Sequence, residues 1–250
     1  MKDLNFLKEE TRLNLLSVNR TGMKQLVAFL DKTDYYTAPA SSKFHLCISG
    51  GLLQHHNNIY EALVEKNKLF KLNMKSETMI ITALLHDVCK CGLYRRVGDT
   101  YEVNKSIAEK GHAKLSLKRI KKFIALTDEE EAMIKFHMGT FGVDNVGYLK
   151  EYPVQEMHDA IKRFKLVQVF ASTDMEVSIM EGAKEKKLTT EVTTDAVMKL
   201  FRKLDVGHGV FIEDVLKEFQ NKEKCELIVN TLKKQGEIFE IKPSKYKILE

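Results

Sequence analysis

Residues 76–90 read SETMIITALLHDVCK. Met79, Ile80, Ile81, Ala83, Leu84, Leu85 and Val88 leave almost no solvated face, so the pattern predicts a helix buried on all sides, with Ser76 as its N-cap. That helix ends in adjacent His86 and Asp87. A carboxylate beside an imidazole enters an apolar interior only with a hydrogen-bond partner, an opposite charge or a cation, and a metal ion meets the need of both. Lys90, four residues after His86 and three after Asp87, falls on the same helical side. The segment therefore offers metal ligands and, beside them, a positive group for an anion.

Outward from this helix, the chain reads as helical almost throughout. Leu13 and Leu16, then Met23, Leu26, Val27 and Leu30, predict one or two helices before residue 31. Residues 34–43, DYYTAPASSK, form a loop whose hydroxyls and Lys43 are candidates to face a phosphate. Gly50-Gly51 opens a helix with His55 and His56 on its first turns. Residues 91–105 read as a loop with one short hairpin, in which Arg95 and Arg96 are phosphate-binding candidates. Gly111-His112 starts another helix, and Thr127-x-x-Glu130 is a capping box for a helix ending near His137. Residues 152–180 are expected to form one long helix with the stripe Ala160, Phe164, Val167, Ala171, Asp174 and Ser178 turned inward. Asp174 is thus a second acid on an apolar face, in need of a specific partner.

Residues 183–194 are polar and aperiodic, the mark of a linker between residues 1–182 and residues 195–250. Beyond it, three short amphipathic segments precede two alternating strands, GEIFEI and KYKIL, joined across Lys242-Pro243-Ser244. Three helices and a two-stranded wing describe a winged helix.

At 250 residues, 44% hydrophobic and with three prolines, the chain can bury a sizeable core and is expected to be mostly α. A formal charge of +5 and a pI near 8.8 are compatible with a phosphorylated ligand without demanding one. Cys47, Cys89, Cys91 and Cys225 lack zinc-ribbon spacing, and Cys89 and Cys91 read as small core residues. The amphipathic N-terminus is neither a signal peptide nor a membrane span. A soluble protein of the cytoplasm, with no membrane partner, is expected.

The set His55, His86, Asp87, His112, His137 and Asp174 combines imidazole with carboxylate, a ligand chemistry suited to Mn, Fe, Zn or Mg rather than to copper in a thiolate site. The order His55, His86-Asp87, Asp174 resembles the HD superfamily of metal-dependent phosphohydrolases, and Gly111-His112 with His137 resembles its two-metal members. TAPASSKFH, GGLLQHHNNIYEAL, ALLHDVCK, GHAKLS and KFHMG are similar to a group of bacterial and phage-encoded HD-domain hydrolases, over about residues 20–180. By register with Asn58, the resemblance makes His55 the ligand of the His55-His56 pair, and it leaves open the role of His56, which stands where that group usually has a small or hydroxylated residue. Met138 stands where some two-metal members have a second histidine.

The resemblance implies a first ion on His55, His86, Asp87 and Asp174 and a second on Asp87, His112 and His137. A bridging water would be the nucleophile, and Lys90 would meet a phosphate oxygen, with Lys43, Arg95 or Arg96 holding a further one. His45 recurs in that group near the mouth of the site. The C-terminal segment, through GVFIEDVLKEF and GEIFEIKPSKYKIL, resembles the winged helix that ends the minichromosome-maintenance helicases. The implied activity is hydrolysis of a nucleotide phosphoester or phosphoanhydride, of nucleotidase or phosphodiesterase type. A 3′–5′ exonuclease acting on RNA or DNA ends, with nucleic acid bound through the winged helix, and a non-catalytic metal-stabilised binding module stand as alternatives. Basic and acidic residues nearly cancel over residues 195–250, which favours the small nucleotide.

Overall fold

The computed structural model describes residues 3–98, 100–104, 111–142, 151–188, 192–205, 207–216, 218–219 and 221–249, with 183–188 described by backbone alone. Asp99 and Lys105 of the expected loop, residues 189–191 of the expected linker and Glu250 lie outside the described residues. The protein is mostly α, and it divides into two compact units, residues 1–182 and 183–250.

In the first unit α1 (Leu4–Ser17), α2 (Met23–Leu30), α3 (Gly51–Phe70) and α4 (Ser76–Leu85) precede an exposed hairpin of β1 (Tyr94–Val97) and β2 (Thr100–Val103). Then come α5 (His112–Ile120), α6 (Asp128–Lys135), α7 (Val154–Arg163) and α8 (Leu166–Leu188). The central helix is as its composition requires, with every residue from Thr78 to Leu85 buried. Its faces serve two packings. Ile80, Ile81, Leu84 and Leu85 meet Leu7, Leu15, Leu26 and Leu30 of α1 and α2, while Met79 and Ala83 join Ile59, Leu63, Met133 and Phe170. α3 is shared in the same way, through Leu52 and Leu53 on one side and Ile59 and Leu63 on the other. The histidines of α3 and α4 therefore lie where two apolar packings meet.

Three local expectations change. The N-cap of α4 is Lys75, and Ser76 is its first helical residue, so Ser76 is one position too far in to cap. The long helix expected over residues 152–180 is two helices, parted at Phe164, whose backbone is extended (φ −133°, ψ 96°). The apolar steps run straight through this break and do not betray it. α8 continues to Leu188, into the stretch read as linker, because Ala, Lys, Glu and Leu are all strong helix formers.

The second unit is built from α9 (Thr194–Leu204), β3 (Val210–Phe211), α10 (Ile212–Leu216), α11 (Lys222–Gln235), β4 (Ile238–Lys242) and β5 (Lys245–Ile248). Val197, Phe201, Val215, Cys225, Val229 and Leu232 form its core with Ile238 and Tyr246 of the sheet. The sheet is antiparallel in the order β3-β5-β4, one short strand more than expected. No helix among the described residues is long and apolar enough to cross a membrane.

Candidate metal centre

His86 caps the C-terminus of α4, where its Nδ1–H reaches back three residues to the Ala83 carbonyl at 3.0 Å. His137, two residues past α6, repeats the device on the Ile134 carbonyl at 2.7 Å. In the neutral ring this places the proton on Nδ1 and leaves Nε2 as the free lone pair. Both Nε2 atoms are buried without a hydrogen-bond partner. The chain turns at Asp87 into a short 3₁₀ turn, Val88–Lys90, which brings Lys90 Nζ to 2.6 Å from Asp87 Oδ2. The other oxygen, Oδ1, lies 3.4 Å from His137 Nε2 and 2.6 Å from His112 Nε2, without the alignment of a hydrogen bond.

His112 opens α5, whose first two backbone N–H groups, those of His112 and Ala113, donate to the Glu151 carboxylate. Its Nδ1 lies 3.2 Å from Cys89 Sγ. Cys89 is thus a hydrogen-bond partner of a site histidine and not only the core filler expected from sequence, while Cys91 is simply buried.

On the opposite side of His86, His55 Nε2 lies 3.2 Å from Asp174 Oδ1, and its Nδ1 lies 2.9 Å from Glu181 Oε2. The second oxygen of Glu181 accepts from Asn58 Nδ2 at 2.7 Å. Glu181 went unnoticed in the sequence, although it sits seven residues, two helical turns, after Asp174. His45 is half-buried, its ring 4.8 Å from that of His55 and its Nε2 4.0 Å from Glu181. His56 is fully buried, with Nδ1 2.9 Å from Tyr35 Oη.

Two glycines set the closeness of these parts. A Cβ on Gly51, one turn before His55, would stand 2.1 Å from the Leu46 carbonyl oxygen, and one on Gly182, next to Glu181, 2.9 Å from that of Phe44. α3 and α8 both close on the turn that carries His45.

The charges follow the geometry. Burial opposes ionisation of Asp87, but Lys90 and His112 outweigh it and hold its carboxyl well below the usual range, and His112 is itself raised, against burial, by Cys89 and Asp87. Asp174 is likewise lowered against burial, chiefly by His55. Burial pushes His86 down to about 3 and His45 down to about 4, so both are neutral. His55 runs the other way, to about 9, because its hydrogen bonds to Asp174 and Glu181 override burial.

Ring nitrogens and carboxylate oxygens of His55, His86 and Asp174, and likewise of Asp87, His112 and His137, lie within 4.8 Å of one another. An unsatisfied buried polar atom costs about 1–3 kcal/mol, and here three of them (His86 Nε2, His137 Nε2 and Asp87 Oδ1) converge. Divalent cations on the two groups satisfy them, His86 Nε2 in the first and His137 Nε2 with Asp87 Oδ1 in the second, and the buried His, Asp and Glu groups fit such ions in donor type.

No protein-family model, curated protein or solved structure matches the chain. The centre is therefore read from its own geometry. Of the eleven residues singled out in the sequence for metal, catalysis or substrate, it gathers His55, His86, Asp87, Lys90, His112, His137 and Asp174, with His45 at the edge. The other three stand apart. Lys43 is exposed, and its backbone N–H donates to Ser41 Oγ. Arg95 pairs with Glu102 across the hairpin at 3.2 Å, and Arg96 Nε donates to the Gly98 carbonyl. Local partners within the hairpin hold both arginines. A surface cavity of about 570 Å³, lined by Phe29, Asp34, Arg119 and Phe123 among others, contains none of the cluster's residues.

Proposed function

We propose that the chain is a metal-dependent phosphohydrolase of the HD type, acting on a phosphoester or phosphoanhydride of a nucleotide, and that its second unit is a winged helix. The observation that carries this reading is Asp87, a buried ionised carboxylate with the unpartnered Nε2 atoms of His86 and His137 at 3.6 and 3.4 Å from it. His55, His86, Asp87 and Asp174 would hold one divalent ion, of manganese, iron, zinc or magnesium, and Asp87, His112 and His137 a second. Such ions supply Lewis acidity and a bound water of lowered pKa. The chain's own groups do the rest. Nδ1–H bonds to Ala83 and Ile134 aim His86 and His137, Glu181 and Asn58 fix His55, and Lys90 keeps Asp87 ionised while offering a cation to a phosphate oxygen.

For the second unit, the support is the order of helices and strands together with the resemblance of its hairpin. Within that unit Lys233 is already paired with Glu240 at 2.6 Å and lies over the Tyr246 ring. Lys245 lies over the Phe211 ring. These lysines are engaged locally, which supports a small nucleotide over a polynucleotide.

Purified full-length protein should contain one to two divalent ions per chain by elemental analysis. It should hydrolyse at least one member of a panel of nucleoside mono-, di-, tri- and cyclic phosphates, and lose that turnover on chelation. Nucleotide release from RNA or DNA ends with no turnover of free nucleotides would move the reading to an exonuclease. Bound metal with no turnover on any substrate would leave a binding module.

A further inference from the structure

We infer that His56, adjacent to the expected ligand His55, is itself a metal ligand, giving the ion at His86 a third imidazole and tuning the centre to transition ions over magnesium. The inference rests on the reading of the cluster as a divalent-metal site and adds a residue and a selectivity to it.

Tyr35, fully buried beneath α3 and α4, decides the tautomer. Its hydroxyl lies against two groups, the Leu84 carbonyl and His56 Nδ1. A carbonyl oxygen can only accept, so the single hydroxyl proton goes to Leu84. Tyr35 Oη must then accept from His56, which fixes the His56 proton on Nδ1 and leaves Nε2 as a bare lone pair. That Nε2 is fully buried and has no hydrogen-bond partner. It is not turned into an apolar wall, because the His56 ring is 4.8 Å from the His86 ring. Ligand atoms of His56, His86 and Asp87 lie within 4.8 Å of one another. His86 has one free nitrogen, Nε2, since Ala83 takes the other. An ion on His86 is therefore the common neighbour of His55 and Asp174 on one side and of His56 and Asp87 on the other. The Tyr35–His56 bond is the outer hydrogen bond that ordinarily orients a metal-bound histidine, and each added imidazole favours borderline ions over magnesium.

The experiment titrates metal-stripped full-length protein with zinc, cobalt and magnesium, reading affinity by competition with a chromophoric chelator and coordination by the cobalt absorption spectrum. His56→Gln should weaken zinc by about 100-fold or more, leave magnesium affinity unchanged and alter the cobalt spectrum. Tyr35→Phe, which keeps the ring in the core, should weaken zinc by about 10-fold and serves as the deciding variant if His56→Gln does not fold. Wild-type zinc affinity, zinc-to-magnesium preference and cobalt spectrum in a folded His56→Gln, or in Tyr35→Phe where that variant decides, would overturn the role of His56. Failure of the wild-type protein to bind any of the three ions would instead overturn the metal reading of the whole cluster.

Discussion

Glu130 and Asp87 are both carboxylates buried in the first unit, and both meet the central helix α4, yet their surroundings are opposites. Glu130 is fully enclosed and saturated. One oxygen accepts from Arg20 and Thr78, each at 3.1 Å, and the other from Arg20 at 2.6 Å and the Thr127 backbone at 2.9 Å. Everything it needs is protein, so it acts as a structural clamp joining the α1–α2 connection, α4 and α6. At Asp87, Oδ2 is held by Lys90, while Oδ1 lies 2.6 Å from His112 Nε2 and 3.4 Å from His137 Nε2 without the alignment of a hydrogen bond. A buried acid with every lone pair filled holds a fold together. One with a lone pair that no aligned donor fills, beside the unpartnered Nε2 of His137, is built for a cation from outside the chain.

The contrast can be broken at either end. The largest effect is expected at Asp87→Asn, which should lower turnover on the order of 10⁴-fold and reduce bound metal. Steady-state kinetics and elemental analysis on the same preparation check this. Wild-type turnover and metal content in a folded Asp87→Asn would erase the distinction.

Glu130→Ala should do the reverse, costing about 3 kcal/mol of unfolding free energy with metal affinity of the folded fraction preserved. Arg20 is partly exposed, which holds the cost to the lower end for a broken buried pair. Burial works against the Glu130 charge, but Arg20, Thr127 and Thr78 outweigh it and depress its pKa. Its contribution is therefore fully present above the ordinary glutamate value of about 4.3 and is lost as pH falls through the lower folded value. The difference between wild type and Glu130→Ala in urea unfolding should shrink over that acid range, and a difference constant from pH 7 down to pH 3 would contradict the assignment.

Glu181→Gln tests the intermediate case, a saturated carboxylate serving a metal ligand. Zinc affinity should fall about 10–100-fold with little change in stripped-protein stability, measured by chelator competition and thermal melting. Smallest is Thr127→Ala, which removes one half of the capping box of α6 and should cost about 1 kcal/mol while leaving the metal stoichiometry unchanged.

Much of this was legible in the sequence because it is local. The buried run of α4, the capping box at Thr127, the start of α5 at His112 and the acid on the inward stripe at Asp174 are each written within a few residues. What escaped is of two kinds. The break at Phe164 is hidden because apolar periodicity continues through it, and Glu181 resembles a solvated charge at the polar end of α8 although the spacing from Asp174 was available. The other kind is long-range. Arg20 and Glu130 are 110 residues apart, Tyr35 and His56 are 21 apart, and no local pattern says which distant polar group will fill a lone pair. Arg95 and Arg96 show the converse, a motif-like pair spent on its own hairpin.

The missing side chains of Gly51 and Gly182 carry a consequence for how this protein can change over generations. Each lets a helix press against the turn that holds His45, and His55 and Glu181 meet at 2.9 Å across that squeeze. Substituting either glycine would push its helix outward and separate the pair, so the fitness of a change at Gly51 depends on what stands at residue 181, and that of a change at Gly182 on residue 55. Inheritance at this corner is collective. A lineage could enlarge the site here only by several replacements arriving together, whereas the outer face of the β1–β2 hairpin can drift one residue at a time.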